Sequence, residues 1–78
     1  MIEVFLYGDV KKLVEQNNRN ASAIMFCEYI EGEHLQDLLH RLGLNPEDVG
    51  SCYINSALAN PDSVLRDRDT IELNQRDQ

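Results

Sequence analysis

Four leucines, Leu35, Leu38, Leu39 and Leu42, recur at i, i+3, i+4 and i+7, the spacing that lines one stripe of an α-helix. Glu33, Gln36, Asp37, His40 and Arg41 fill the rest of the circumference, so the pattern predicts an amphipathic helix within residues 31–44. Gly43 follows the last periodic leucine, where a left-handed residue closes a helix, and Leu44 can fold back behind it. Pro46 lacks an N–H and prevents the helix from resuming. The start is less clearly marked: Gly32 is the only residue there of a preferred cap type. One apolar stripe with no partner helix of equal strength needs a sheet to cover it.

The remaining pattern supplies that sheet. Residues 2–7, IEVFLY, alternate with period two, placing Ile2, Val4 and Leu6 on one side and Glu3, Phe5 and Tyr7 on the other. Gly8-Asp9 ends this strand, and Val10, Leu13 and Val14 are spaced for about one and a half helical turns. The polar cluster at 16–20, QNNRN, predicts a loop. Residues 21–30, ASAIMFCEYI, predict a second strand whose facing is ambiguous because 24–27 are all apolar. Glu28 places the even positions outward, with Ile24 and Phe26 exposed, whereas a bulge would reverse them. After a turn at 45–48, residues 51–54 form a third strand with Cys52 and Ile54 on one side and Tyr53 on the other. Asn55-Ser56 then sits where a tight hairpin belongs, and 57–59 return. Residues 60–63 form a loop, and Val64 and Leu65 are expected to tuck under the sheet before a turn at 66–69. Residues 70–74, TIELN, are the last strand, with Ile71 and Leu73 inward and Thr70, Glu72 and Asn74 outward. The polar end 75–78 has no evident anchor and is expected to fray.

Strand, short helix, strand, long helix, short strands and final strand define an α+β domain over residues 1–78, with one main helix across a mixed sheet of four to five strands. At this length only about 60% of the unfolded chain's surface is buried, so the core has little margin. Seven basic against fourteen acidic residues give a net charge of −7, which repels phosphate backbones and argues against nucleic acid. The same field favours a protein partner with a basic surface, although acidity also serves plain solubility. The longest apolar run, residues 23–27, is far too short for a membrane span. Two cysteines and no signal peptide point to a reducing, cytoplasmic setting. His34 and His40 lie six apart on different helix faces, and Asp62, Asp67 and Asp69 carry no calcium-loop pattern, so no metal or other cofactor is expected. Glu31, Glu33 and Asp37 make an acidic helix start that suits the dipole, as His40 suits its other end. No nucleophile–base pair, phosphate loop or paired carboxylates can be read, so no catalytic residue is assigned and an enzyme is not expected.

The chain resembles the ubiquitin-like β-grasp proteins, in particular the sulphur carriers related to the molybdopterin synthase small subunit and the thiamine sulphur carrier. Residues 1–13, MIEVFLYGDVKKL, are similar to those carriers' first strand and short basic helix. Residues 31–39, EGEHLQDLL, match their E-G-x-T-V-x-D-L-L entry, with His34 in place of the capping Thr. Residues 53–56 look like their V-N-G hairpin, with Ser56 in place of Gly, and 65–73 like L-x-D-G-D-x-V-x-L, with Arg68 in place of Gly. The resemblance implies chemistry at a C-terminal Gly-Gly, adenylated and then converted to a thiocarboxylate. Glycine suits a tail threading into a narrow enzyme site because it has no Cβ. Here Leu73 is followed by Asn74-Gln75-Arg76-Asp77-Gln78, and no glycine follows Gly50, so the bulk and charge of Arg76, Asp77 and Gln78 argue against that role. The resemblance also implies the strand order 2-1-5-3, which sets Cys27 and Cys52 about three strand spacings of 4.8 Å apart. That exceeds disulfide reach and predicts buried free thiols.

The expected functional feature is the sheet face turned away from the helix. Phe5, Tyr7 and Tyr53 point there by alternation, flanked by Glu3 and Glu72, an apolar centre with a polar rim suited to a protein partner. Relatives in the resembled family dock their enzymes on this face. The competing expectation is that the segment 10–20 covers one or two of the rings. Three functions follow: a non-catalytic binding module, a genuine sulphur carrier with an atypical tail, or a small homodimer paired through an uncovered edge strand.

Overall fold

The computed structural model describes residues 1–77. Its elements are β1 (Ile2–Leu6), α1 (Asp9–Asn17), β2 (Ile24–Cys27), α2 (Leu35–Arg41), a 3-10 turn (Pro46–Asp48), β3 (Cys52–Ile54), β4 (Ala57–Ala59) and β5 (Thr70–Leu73). The five strands form one sheet in the order β2-β1-β5-β3-β4. β1 and β5 run parallel at its centre, and every other neighbouring pair is antiparallel.

The core forms where the helical and strand periodicities meet. Leu35, Leu38 and Leu39 of α2 are buried against Ile2, Val4 and Leu6 of β1 and Ile71 and Leu73 of β5, with Val10 and Val14 of α1 joining the same cluster. Both helices therefore serve one face of the sheet. Register fixes this: Val4 pairs with Ile71 and Leu6 with Leu73, so inward side chains meet inward side chains.

α2 is shorter than the predicted stretch because its flanks are engaged elsewhere. Gly32 takes φ 84°, the Glu33 carbonyl accepts the Leu65 N–H at 2.9 Å, and His34 bridges to Val64. His34 is the N-cap residue, and the Asp37 carboxylate accepts its backbone N–H at 2.9 Å. This is one half of a capping box, supplied from the third helical position rather than by a cap residue of the usual type. At the other end Gly43 has φ 81°, Gly43 N–H bonds to the His40 carbonyl at 3.0 Å, and Leu44 N–H reaches the Leu39 carbonyl at 2.8 Å. That is the expected Schellman closure, and Leu44 is buried by it.

Several expectations are corrected. α1 continues to Asn17, into the cluster predicted as loop, because Val10 and Val14 give it a buried face. β2 spans only residues 24–27 of the predicted 21–30. Ala21 N–H turns back to the Asn18 carbonyl, the Ser22 hydroxyl bonds the Ile24 carbonyl, and Arg41 takes the Glu28 carbonyl. Val64 is exposed while Leu65 alone tucks under the sheet. Glu33 is not a dipole-complementing surface charge. It is buried and held in a two-pronged pair by Arg41, with Nε to Oε2 at 2.9 Å and Nη2 to Oε1 at 2.7 Å.

The tail does not fray at its start. Gly50 N–H donates to the Asn74 carbonyl at 2.7 Å, Asn74 N–H to the Ser51 carbonyl at 3.2 Å, and Arg76 Nη1 to the Glu47 carbonyl at 2.9 Å. The Gln75 side chain accepts the first N–H of α1, from Asp9, at 2.9 Å. Gly50 permits this packing, since a Cβ there would collide with the Gln75 carbonyl.

Two turns carry non-glycine residues in the left-handed region. Asn55 (φ 51°) and Ser56 (φ 70°) form the type I′ hairpin between β3 and β4, and Arg68 (φ 71°) lies in the turn before β5. Asn55 is held in place: its N–H reaches the Thr70 carbonyl at 2.7 Å, its Oδ1 accepts the Thr70 N–H, and its Nδ2 donates to buried Asp69 at 2.8 Å. Among the described residues Ser56 and Arg68 have no such compensation beyond a single backbone bond from Arg68 to Met1. Ser56→Gly and Arg68→Gly should each stabilise the protein by about 1 kcal/mol, read as a higher urea midpoint with an unchanged slope. Arg41→Ala should do the opposite, lowering stability by about 3 kcal/mol, because it strands the buried Glu33 carboxylate.

Candidate docking face

The sheet face opposite the helices is laid out by strand register. Ile24 pairs with Phe5, Phe5 with Glu72, Glu72 with Tyr53, and Tyr53 with Leu58, so one transverse row crosses all five strands. At about 4.8 Å per strand the row spans roughly 19 Å. A second row sets Phe26 against Glu3 and Glu3 against Thr70. The predicted residues Phe5, Tyr53 and Glu72 therefore stand side by side. Tyr7 continues the parity of Phe5 just beyond β1 and is 44% exposed.

The alternative that the segment 10–20 shields these rings is not what the chain does. α1 sends Val10 and Val14 into the leucine core on the far side, and neither Phe5 nor Tyr53 belongs to the hydrophobic residues packed against that core. Phe5 and Tyr53 are half-buried between their cross-strand neighbours, while the row's ends are open, with Ile24 48% and Leu58 73% exposed. Phe26, at 64%, is also exposed. The even positions of β2 thus face outward, as Glu28 indicated, with no bulge. Sequence reasoning left Leu58 out of the face. Its pairing with Tyr53 follows from the two-residue hairpin, a signal that was present.

Glu72 sits between two aromatic rings, and Glu3 beside Phe26. Among the described residues neither carboxylate forms an ion pair with a cation. A face of this composition has apolar surface to bury and two charges that require a counter-charge when water leaves.

The other predicted positions lie elsewhere. Arg76 and Asp77 are exposed at the tail, by the edge formed by Glu47 and Gly50, and Gln78 lies outside the described residues. Cys27 is on β2 and Cys52 on β3, with β1 and β5 between them. Both are free thiols, although Cys27 is only half-buried. Burial pushes both thiols above the usual range, with Arg41 partly offsetting this at Cys27. Asp67 accepts the N-terminal ammonium at 2.6 Å, and that hydrogen bond holds its carboxyl below the usual range. On the helix side, Leu35, Leu39, Pro46, Val49, Cys52 and Pro61 line a partly open apolar cavity of about 130 Å³. Among the described residues no three His, Cys, Asp or Glu side chains gather to hold a metal ion, and no helix is long and apolar enough to cross a membrane.

This architecture is the ubiquitin-like β-grasp: a mixed five-stranded sheet with its helices on one side and the other side bare. Among solved structures the chain is similar to one from Pyrococcus furiosus described as molybdopterin converting factor, subunit 1, with a TM-score of 0.73 over 97% of each chain and 16% sequence identity. At that identity the likeness is one of fold. No protein-family model and no curated protein matches the sequence.

If nothing in the chain covers the face, polar substitutions at its open ends should leave folding intact. Phe26→Asp and Leu58→Asp should each change the unfolding free energy by less than about 0.5 kcal/mol in urea denaturation. Leu39→Ala, on the covered face, should lower it by about 2–5 kcal/mol.

Proposed function

We propose that the chain is a non-catalytic protein-docking module of the sulphur-carrier-like β-grasp kind, using its bare sheet face as the interface. The supporting observation is the row Ile24–Phe5–Glu72–Tyr53–Leu58. It presents apolar groups at both ends and aromatic rings around one carboxylate, a core of the type that carries binding energy in protein interfaces. The partner surface that fits it is apolar with at least one Lys or Arg to meet Glu72. In this reading the tail forms no thiocarboxylate: Asn74, Gln75 and Arg76 are bonded to the body rather than held free for threading into another enzyme. The proposed setting is the cytoplasm, with no cofactor.

A second reading has one observation behind it, the fold neighbour named for a molybdopterin converting factor subunit. It makes the chain a working sulphur carrier with an atypical tail.

The two readings separate experimentally. Immobilised wild-type protein should retain a specific partner from its own cell extract that Tyr53→Ala and Phe26→Asp fail to retain. Incubation with a carrier-activating enzyme and ATP should yield no acyl-adenylate. Equal retention by wild type and variants would remove the docking face. A C-terminal adenylate, or a native mass showing sulphur in place of one carboxylate oxygen, would establish the carrier reading.

A further inference from the structure

We infer that the free edge of β2 is a self-pairing site, at which a second copy of this chain adds its own β2 antiparallel about a two-fold axis through Met25. Among the described residues β2 has a neighbour only on its β1 side. The Leu6 N–H bonds the Ala23 carbonyl at 2.8 Å, so by antiparallel alternation Ala23, Met25 and Cys27 turn their backbone groups toward β1. Ile24 and Phe26 turn theirs outward, to the open edge. The ladder has a natural end, because Arg41 already occupies the Glu28 carbonyl.

The register that satisfies these outward groups is self-complementary. With the axis at Met25, Ile24 pairs with Phe26 of the partner subunit and Phe26 with Ile24 of the partner subunit, each pair exchanging both backbone hydrogen bonds, the Ile24 carbonyl taking the incoming N–H on the lone pair left beside its bond from the Ser22 hydroxyl. Their side chains, exposed in the single chain, then form two apolar cross-strand contacts on the bare face. The other sheet edge offers no equivalent. In β4 only Leu58 points its backbone outward, since Ala57 and Ala59 pair inward with Ile54 and Cys52 across the two-residue hairpin. A β2-to-β4 contact would also be head-to-tail and open-ended, whereas β2-to-β2 closes as a dimer.

Charge permits the same pairing. The chain carries −7, yet residues 20–27 hold no charged side chain, so two copies can approach here with little repulsion; residues 49–61, which include β4, are equally uncharged, and the backbone pattern rather than charge separates the two edges. Natural edge strands usually carry a lysine, a proline or a bulge that blocks such pairing, and β2 has none of these.

The test exploits register. In the paired state residue 23 of one copy faces Cys27 of the partner subunit in a close non-hydrogen-bonded pair, with Cα atoms about 4.5 Å apart, within disulfide reach. Within a single chain the two positions are about 13 Å apart along the strand and cannot join. Ala23→Cys is an exposed substitution and should give a covalent dimer under mild oxidation on a non-reducing gel. Ala23→Cys with Cys27→Ser should not. Sedimentation velocity of the unmodified protein should show concentration-dependent dimer, reduced roughly tenfold by Phe26→Lys, which places a gatekeeper lysine at the edge. A wild-type chain that stays monomeric throughout the concentration series would overturn the inference and leave the edge to a strand from another protein. Dimers of Ala23→Cys that persist without Cys27 would overturn the register.

Discussion

The structure depends on the parallel pairing of β1 with β5. These two central strands carry five of the buried aliphatic side chains, Ile2, Val4, Leu6, Ile71 and Leu73, and each strand alternates strictly between core and exterior. A slip of one residue in this pair would send all of one strand's inward groups into water. Fully burying a residue of this type contributes roughly 1.5–3 kcal/mol, which is a large share of what a small domain can spare against chain entropy. The α2 leucines and the two α1 valines suffice to cover one side of the sheet. Among the described residues both helices lie on that side, which leaves the other face of the sheet bare.

Register is held from the ends of the strands. Asn55 closes the β3–β4 hairpin and bonds to Thr70 and Asp69, so one side chain ties the hairpin to the start of β5. Asp69 also accepts the Arg66 N–H at 2.8 Å, and the same turn binds the N-terminus through Asp67 and Met1. The starts of β1 and β5 are therefore fastened together where they enter the sheet. Asp67 contributes through a depressed carboxyl pKa. That contribution is present above the ordinary carboxylate range and is lost as pH falls through the lowered value. The non-glycine residues at Ser56 and Arg68 are tolerated because pairing on both sides leaves those turns no other shape.

What the sequence discloses is local. The leucine stripe, the Gly43 closure, the alternation of β1 and β5 and the Asn55-Ser56 hairpin each rest on residues within one turn or one strand, and each is found in the structure. The misreadings involve partners distant along the chain or groups with no side-chain signature. Glu33 lies outside α2, before its N-cap, so helical spacing does not announce its pairing with Arg41. The tail is held partly by main-chain groups of Gly50 and Ser51, which composition does not announce. β2 could not be oriented from its run of four apolar residues, and only pairing with β1 decides it. The docking face divides the same way: Phe5, Tyr53 and Glu72 follow from alternation within their strands, whereas Ile24 and Leu58 join them only through cross-strand register.

The bare face and the free edge adjoin, yet their charge patterns suit different occupants. Glu72 between Phe5 and Tyr53, with Glu3 one row away, makes two copies of the face repel each other. A carboxylate brought out of water opposite another carboxylate is destabilising unless a cation intervenes. In the proposed reading this favours a foreign, basic surface over the face's own image. The β2 edge has the opposite character, being uncharged from Asn20 to Cys27, apolar on the outer side and symmetric in its donors and acceptors. Pairing two edges about an axis perpendicular to the sheet keeps both faces on the same side. Self-association there would leave the carboxylates in water and set two docking rows next to each other, so the same register that brings the face together also permits it to be doubled.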